Sequence, residues 1–233
     1  VLKAGGVFLM INPTTKAEKL GFILNNSRAS ALIGQSARQK IINEAIGSAQ
    51  HIRTVYLAGG DREAEGGRAK DLDSIIAGGT ATSVKASVID ADLATIIYTS
   101  GSTGDPKGVV MTHLNMVSAA NSITEYLENT EDDIILNTLP LSFDYGLYQA
   151  LMSFKAGATL VLEKSFSYPY KVIETLIREK VTGFPIVPTI SAVLLQMEEI
   201  KKHSFSLRYI SNTAAALPPA HILRLKEFFP GAR

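Results

Sequence analysis

Apolar residues along the chain fall into two alternating patterns. Short continuous runs of four to seven read as buried strands. Between them, apolar residues recur three and four positions apart, as on one face of a helix. The first run is residues 7–11, closed by Asn12-Pro13. Thr15 and Glu18 have capping-box spacing, and Leu20, Ile23 and Leu24 follow on one helical face until Asn25 and Asn26. A strand is expected over 29–33. Ser36 is expected to cap a helix to about 48, with Ile41, Ile42, Ala45 and Ile46 inward. A third strand falls at 54–57.

Residues 59–87 differ. They are rich in Gly, Asp, Glu, Arg and Lys, with Leu72, Ile75 and Ile76 as their apolar cluster. This stretch predicts a mobile surface connection holding one helical turn, and it divides the chain into a first lobe (1–90) and a second (91–233).

The alternation then resumes. Strands are expected over 93–98, 133–139, 158–162, 183–187 and 207–210. Helices are expected over 113–128 (Met116, Ala120, Ile123 and Leu127 inward), 146–156, 169–180 (Val172, Ile173, Leu176 and Ile177 inward), 189–200 and 218–229 (Ile222, Leu225, Phe228 and Phe229 inward). Pro169 suits a first helical turn, and Thr189 is placed to cap the helix that follows it. Near-continuous apolar strands alternating with helices predict an α/β fold of mostly parallel sheets with helices on both faces.

Composition narrows the function classes. The 233 residues carry 23 basic and 22 acidic side chains, a net charge of +1, which gives no support to a nucleic-acid or anionic-membrane partner. There is no cysteine, so disulfides, thiolate metal sites and a cysteine nucleophile are excluded. No apolar run reaches transmembrane length. These features fit a cytoplasmic protein. The chain opens on what reads as the last turn of a helix, residues 2–5 with Gly5 as its C-cap, and stops just after another helix. It reads as an internal piece of a longer protein.

Candidate chemistry centres on residues 98–109. After an apolar strand come Thr99, Ser100, Gly101, Ser102, Thr103, Gly104, Asp105, Pro106, Lys107 and Gly108. Glycines let backbone N–H groups approach a ligand, hydroxyls add donors, and Lys107 adds positive charge. Those parts suit a polyphosphate. The common phosphate loop needs G-x-x-x-x-G-K-[ST], and dinucleotide folds need G-x-G-x-x-G; neither occurs. A plain exposed Gly/Ser loop is the bland alternative. It gives no reason for Thr-Gly-x-Pro-Lys-Gly directly after a buried-type strand.

Residues 99–108 match [ST]-S-G-[ST]-T-G-x-P-K-G throughout. The segment resembles the phosphate-binding loop of the adenylate-forming superfamily, which includes acyl-CoA synthetases, aryl-CoA ligases, luciferases and peptide-synthetase adenylation domains. The Lys-Ala-Gly-Gly of residues 3–6, with its strand and Asn-Pro turn, supports the likeness. The resemblance implies that Thr99, Ser100, Gly101, Ser102, Thr103, Gly104 and Lys107 hold ATP phosphates, with Thr99 near the Mg²⁺ that ATP brings. It implies that Phe143, Asp144, Tyr145, Gly146, Pro188 and Thr189 border the acyl substrate. Thr213, Ala214, Ala215 and Ala216 then stand where the family's backbone holds adenine and AMP, although Thr213 and Ala216 replace the usual Gly and Pro.

Asp144 has two readings. The family's amino-acid-activating members carry Phe-Asp here, so Asp144 could meet a substrate amine. Alternatively it caps the helix expected from Gly146, and this is the stronger of the two expectations. Tyr145-Gly146 departs from the Ser-Val type of the amino-acid signature. His113 is expected to pack at a helix start rather than act as a base.

In the family, a carboxylic acid and ATP give an acyl-adenylate, and a thiol, usually of CoA, then displaces AMP. Three readings of the parent follow. The first is an acyl-CoA ligase of fatty-acid or aryl-acid metabolism. The second is an amino-acid-activating domain that loads a carrier protein. The third is a non-catalytic nucleotide-binding module. The family's Mg²⁺-holding Glu, ribose-binding Asp and small C-terminal domain with its catalytic Lys are not among these 233 residues, so the piece alone is expected not to turn over.

Overall fold

A computed structural model describes residues 1–60, 69–80, 82, 84, 86–99 and 105–233. They form two compact units. The first holds Val1–Ile89 with Leu93–Val110, and the second holds Asp90–Asp92 with Met111–Arg233.

The first unit opens on a 3-10 turn, Leu2–Ala4, which Gly5 terminates at φ 72°, the left-handed conformation that glycine adopts most readily. Helix α1 (Ala17–Asn26) buries Ala17, Leu20, Ile23 and Leu24. The expected Thr15–Glu18 capping box does not form. Asn12 instead accepts from the Thr14 N–H (2.9 Å) and hydroxyl (2.7 Å), and the helix starts two residues beyond Thr15, with Lys16 at the cap position.

Strand β1 (Ala31–Gln35), helix α2 (Gln39–Gly47) and strand β2 (Thr54–Ala58) follow. Ser36 does not cap α2. Its hydroxyl donates to the carbonyls of Ala58 (3.1 Å) and Gly59 (2.6 Å), tying the end of β1 to the end of β2.

Within the expected connection, helix α3 (Leu72–Gly78) stands where one helical turn is expected, and strand β3 (Ala69–Asp71) precedes it unexpectedly. Asp71 caps α3 by accepting from the Ser74 N–H at 2.7 Å. Residues 61–68, 81, 83 and 85 of that connection lie outside the described residues. The sheet order is β1-β2-β3, all parallel, with Ala31 opposite Thr54 and Val55 opposite Ala69. Residues 7–11 do not form a full strand. Phe8 alone bridges Thr95, its backbone bonding Ala94 and Ile96. Strands β4 (Leu93–Thr99) and β5 (Lys107–Thr112) pair with each other, and the Phe8 bridge groups β4 with the first unit.

The second unit opens on helix α4 (His113–Tyr126), whose capping box escaped the sequence reading. The Thr112 hydroxyl accepts from the Asn115 N–H (3.2 Å), and Asn115 Oδ1 accepts from the Thr112 N–H (3.0 Å). Then come β6 (Ile134–Asn137), α5 (Asp144–Ala156), β7 (Thr159–Leu162), α6 (Pro169–Arg178), β8 (Gly183–Ile186), α7 (Pro188–Leu194), β9 (Tyr209–Asn212) and α8 (Pro219–Phe228). Pro169 sits in the first turn of α6, as expected. Thr189 does not cap α7, because Pro188 already begins the helix and Val187 holds the cap position. Ile222, expected inward, is 43% exposed.

The four strands are parallel in the order β7-β6-β8-β9. One core packs Val172 and Leu176 of α6, Leu194 of α7 and Phe228 of α8 around Leu136 and Phe184. Tyr209 joins a smaller cluster with Leu127 and Met152, while its neighbour Ile210 packs on the larger core. Successive strand residues point to opposite faces, so apolar packing covers both faces of this sheet.

Asp133, 3% exposed, ties the unit together. It accepts from Arg208 through Nη2 (2.7 Å) and Nε (3.2 Å), from the Thr182 hydroxyl (2.7 Å) and from the Thr130 N–H (3.0 Å). Burial pushes its carboxyl up, but these donors outweigh that and hold it below the usual aspartate value. Among the described residues, no helix is long and apolar enough to cross a membrane.

Candidate functional site

The two ends of the expected site belong to different units. In the first, β4 buries Ala94, Thr95 and Ile97 and ends on exposed Thr99, and β5 begins with exposed Lys107. Lys107 has no carboxylate partner among the described residues. Ser100, Gly101, Ser102, Thr103 and Gly104 lie outside the described residues. Gly108 is required by a close approach. A Cβ there would lie 2.9 Å from Ile96 Cγ2 and 3.1 Å from Tyr98 Cζ. The Tyr98 hydroxyl donates to Asn26 Oδ1 at the end of α1.

The residues expected around the acyl group and adenine gather in the second unit. From β6 the chain crosses to β7 on one side of the sheet, and from β8 to β9 on the other. The topological switch point therefore lies between β6 and β8, and ligands of open α/β sheets bind beyond the carboxyl ends of the strands there. Phe143, Asp144, Tyr145 and Gly146 follow β6, Pro188 and Thr189 follow β8, and Thr213, Ala214, Ala215 and Ala216 follow β9. Three loops far apart in sequence thus converge on one sheet edge.

Asn137, which the sequence reading did not single out, shapes the first loop. It is fully buried at the end of β6. Its amide donates to the Gly146 carbonyl (3.1 Å), and its Oδ1 accepts from the Leu139 N–H (3.0 Å). A polar residue closing an apolar run was its available signal. Gly146 permits the fold-back, because a Cβ there would sit 2.3 Å from the Pro140 carbonyl oxygen.

Asp144 is not an N-cap. The helix starts one to two residues earlier than the periodicity indicated, so Phe143 takes the cap position and Asp144 is the first helical residue. Its Oδ1 accepts from the Tyr145 N–H at 2.7 Å. The carboxylate is exposed at the positive end of the helix, with no cation paired to it among the described residues.

Tyr145 reaches from α5 to β9, donating to Ser211 Oγ at 2.7 Å, and burial raises its pKa. Burial likewise raises the Tyr148 phenol, helped by the Asp144 charge. Buried Ser191 of α7 bonds the Pro188 carbonyl (2.8 Å) and His221 Nδ1 of α8 (2.9 Å). In the third loop, Ala214 adopts φ 71°, and the Asn212 amide donates to the Ala215 carbonyl at 2.7 Å. Ala214, Ala215 and Ala216 are exposed. His113 begins α4, as expected.

A cavity of 320 Å³ in the first unit, lined by Ile11, Leu20, Leu32, Ile42 and Arg38, includes none of the candidate residues.

Parallel strands alternating with helices define an α/β fold. The chain belongs to the AMP-binding enzyme family, which it matches over residues 1–233. It is 36% identical over 181 residues to phosphinothricin tripeptide synthetase PhsC of Streptomyces viridochromogenes, covering 77% of this chain and 15% of that protein. It is similar to the crystal structure of the anthranilate CoA ligase AuaEII in complex with anthranoyl-AMP, with a TM-score of 0.90 and 25% identity, covering 99% of this chain and 45% of that one. It is also similar to VinN in complex with 3-methylaspartate, with a TM-score of 0.74 and 29% identity, covering 99% and 56%. The chain thus spans about half of those two solved chains and a small part of the tripeptide synthetase.

Proposed function

We propose that the protein carrying this chain uses ATP to convert an amino-group-bearing carboxylic acid into its acyl-adenylate and then passes the acyl group to a thiol, that of a carrier protein in preference to CoA. The observation that carries this reading is Asp144, an exposed carboxylate with no cation partner among the described residues, placed beyond the end of β6 at the switch point. An ammonium group is its natural complement. The likeness to a tripeptide synthetase, and to structures holding anthranoyl-AMP and 3-methylaspartate, supports it. 3-Methylaspartate bears an ammonium group, and anthranilate an arylamine that can donate a hydrogen bond to a carboxylate.

In the first step the substrate carboxylate oxygen attacks the α-phosphorus of ATP. The α-phosphorus to bridging-oxygen bond breaks, and pyrophosphate leaves. Negative charge grows on the leaving group, so catalysis is chiefly positioning and charge stabilisation. Lys107 would supply the cation, Thr99 would be the residue nearest the Mg²⁺ that ATP brings, and Ser100, Ser102 and Thr103 would supply hydroxyl donors to the phosphates. The backbone of residues 213–216 lies against adenine. In the second step a thiol sulfur attacks the acyl carbon, its proton passes to solvent, and AMP departs.

The runner-up is ligation of an apolar acid to CoA. Exposed Phe143 favours it, with Asp144 then serving only the α5 dipole. ATP–pyrophosphate exchange by the full-length protein separates the two. Amino acids should support exchange, and Asp144→Asn should reduce it about a hundredfold, the scale of truncating one partner of a charge pair. Equal exchange with fatty acids, undiminished by Asp144→Asn, would establish the runner-up.

A further inference from the structure

Lys107 and Thr99 are exposed, and neither side chain has a described partner that sets its position. The residues beside them in sequence are anchored. Tyr98 precedes Thr99 in β4 and is half-buried, with its ring against the backbone of Gly108, the residue after Lys107. One aromatic ring thus touches both strands that carry the site's charged and hydroxyl ends. The ring is held in turn by its hydroxyl, which donates to Asn26 Oδ1 across 72 residues of sequence and has no other partner among the described residues.

Asn26 is the last residue of α1, a rigid support. Leu20, Ile23 and Leu24 are buried, and the neighbouring Asn25 donates to the Ser48 carbonyl (2.8 Å) and accepts from the Gln50 N–H (2.8 Å). All of these residues belong to the first unit.

We propose that Tyr98 and Asn26 are positioning residues for ATP: the Asn26 carbonyl fixes the Tyr98 ring, and the ring fixes the spacing and direction of the strand ends bearing Thr99 and Lys107. A phenylalanine would fill the same volume, so packing alone does not call for the hydroxyl. A hydroxyl aimed at a helix end converts a packed ring into an oriented one. This inference rests on the assignment of Lys107 to the ATP phosphates made above.

The test is ATP–pyrophosphate exchange by the full-length protein, with KM measured separately for Mg·ATP and for the acid. Tyr98→Phe keeps the ring and removes the donor, and Asn26→Ala removes the acceptor. Each should raise the KM for ATP about five- to tenfold, the scale of one lost hydrogen bond, and leave the KM for the acid unchanged. The double variant should be no worse than the worse single one, because both break the same link. A merely structural role would lower the melting temperature and leave the ratio of the two KM values alone. That result, or fully additive effects, would overturn the inference. Lys107→Ala, assayed in parallel, isolates the underlying assignment. If it leaves the KM for ATP unchanged, the reading of Lys107 falls. If it raises that KM while Tyr98→Phe and Asn26→Ala do not, only the positioning role falls.

Discussion

The β4–β5 end and the switch-point end of this molecule are built in opposite ways. At β4–β5 the groups proposed to hold phosphate come from ten consecutive residues, 99–108, that link two paired strands, so one short motif would carry that chemistry. At the switch point the groups come from segments after β6, β8 and β9, spread over residues 143–216, and sheet order alone brings them together. The difference follows the ligands. Triphosphate is the same in every nucleotide-activating protein, and a contiguous loop of amides, hydroxyls and one lysine suits it. The acid varies, and a site assembled from separate loops can change one wall without disturbing the others.

Substitutions at the two ends should therefore fail differently. The largest effect is expected for Lys107→Ala. Removing the loop's cation should cut ATP–pyrophosphate exchange by about two to three orders of magnitude for every acid tried, since the lost charge faces the leaving group common to all. An effect confined to some acids would break the contrast between the two ends.

Next is Arg208→Met, which strands the Asp133 carboxylate among Thr182, Thr130 and Asn129. Loss of one partner of a buried pair should cost about 3 kcal/mol in denaturant unfolding. The same pair predicts a pH dependence. Asp133 titrates below its ordinary value, roughly 3.9, when folded, so its contribution is complete above that pH. It is lost as pH falls through the folded value. Wild-type stability should therefore fall on acidification below about pH 4, and Arg208→Met should flatten that limb.

Gly146→Ala is expected to cost about 2 kcal/mol, because the new Cβ meets the Pro140 carbonyl and the turn that Asn137 holds must open. It should also raise the KM for the acid and leave that for ATP unchanged, which sharpens the separation of the two ends. The smallest effect is Thr112→Ala, about 1 kcal/mol for the lost α4 cap, visible in thermal melts and absent from either KM.

Much of this was open to a reader of the sequence. Leu20, Ile23 and Leu24 recur at helical spacing and are buried, as are Val172, Ile173 and Leu176. Gly5 terminates its turn as a residue tolerant of positive φ should. The motif at 99–108 is contiguous, so the family it points to could be read without a fold. These features depend on neighbours within about four positions, and the chain states such neighbours directly.

The tertiary structure decided what depends on distant partners. Ala69, Lys70 and Asp71 have no strand pattern of their own and become β3 because β2 offers an open edge. Thr15, Ser36 and Thr189 look like caps, and none of them caps, because Asn12, the ends of β1 and β2, and Pro188 set those turns first. Asp144 moved from cap to first helical residue by a shift in helix start that no local signal specifies. The order β7-β6-β8-β9, which puts Asp144, Pro188 and Ala214 on one edge, and the bond from Tyr98 to Asn26 belong to the same class. Each is a choice among long-range pairings. Those pairings are selected by burial and hydrogen-bond satisfaction over the whole fold, and residue spacing does not record that selection.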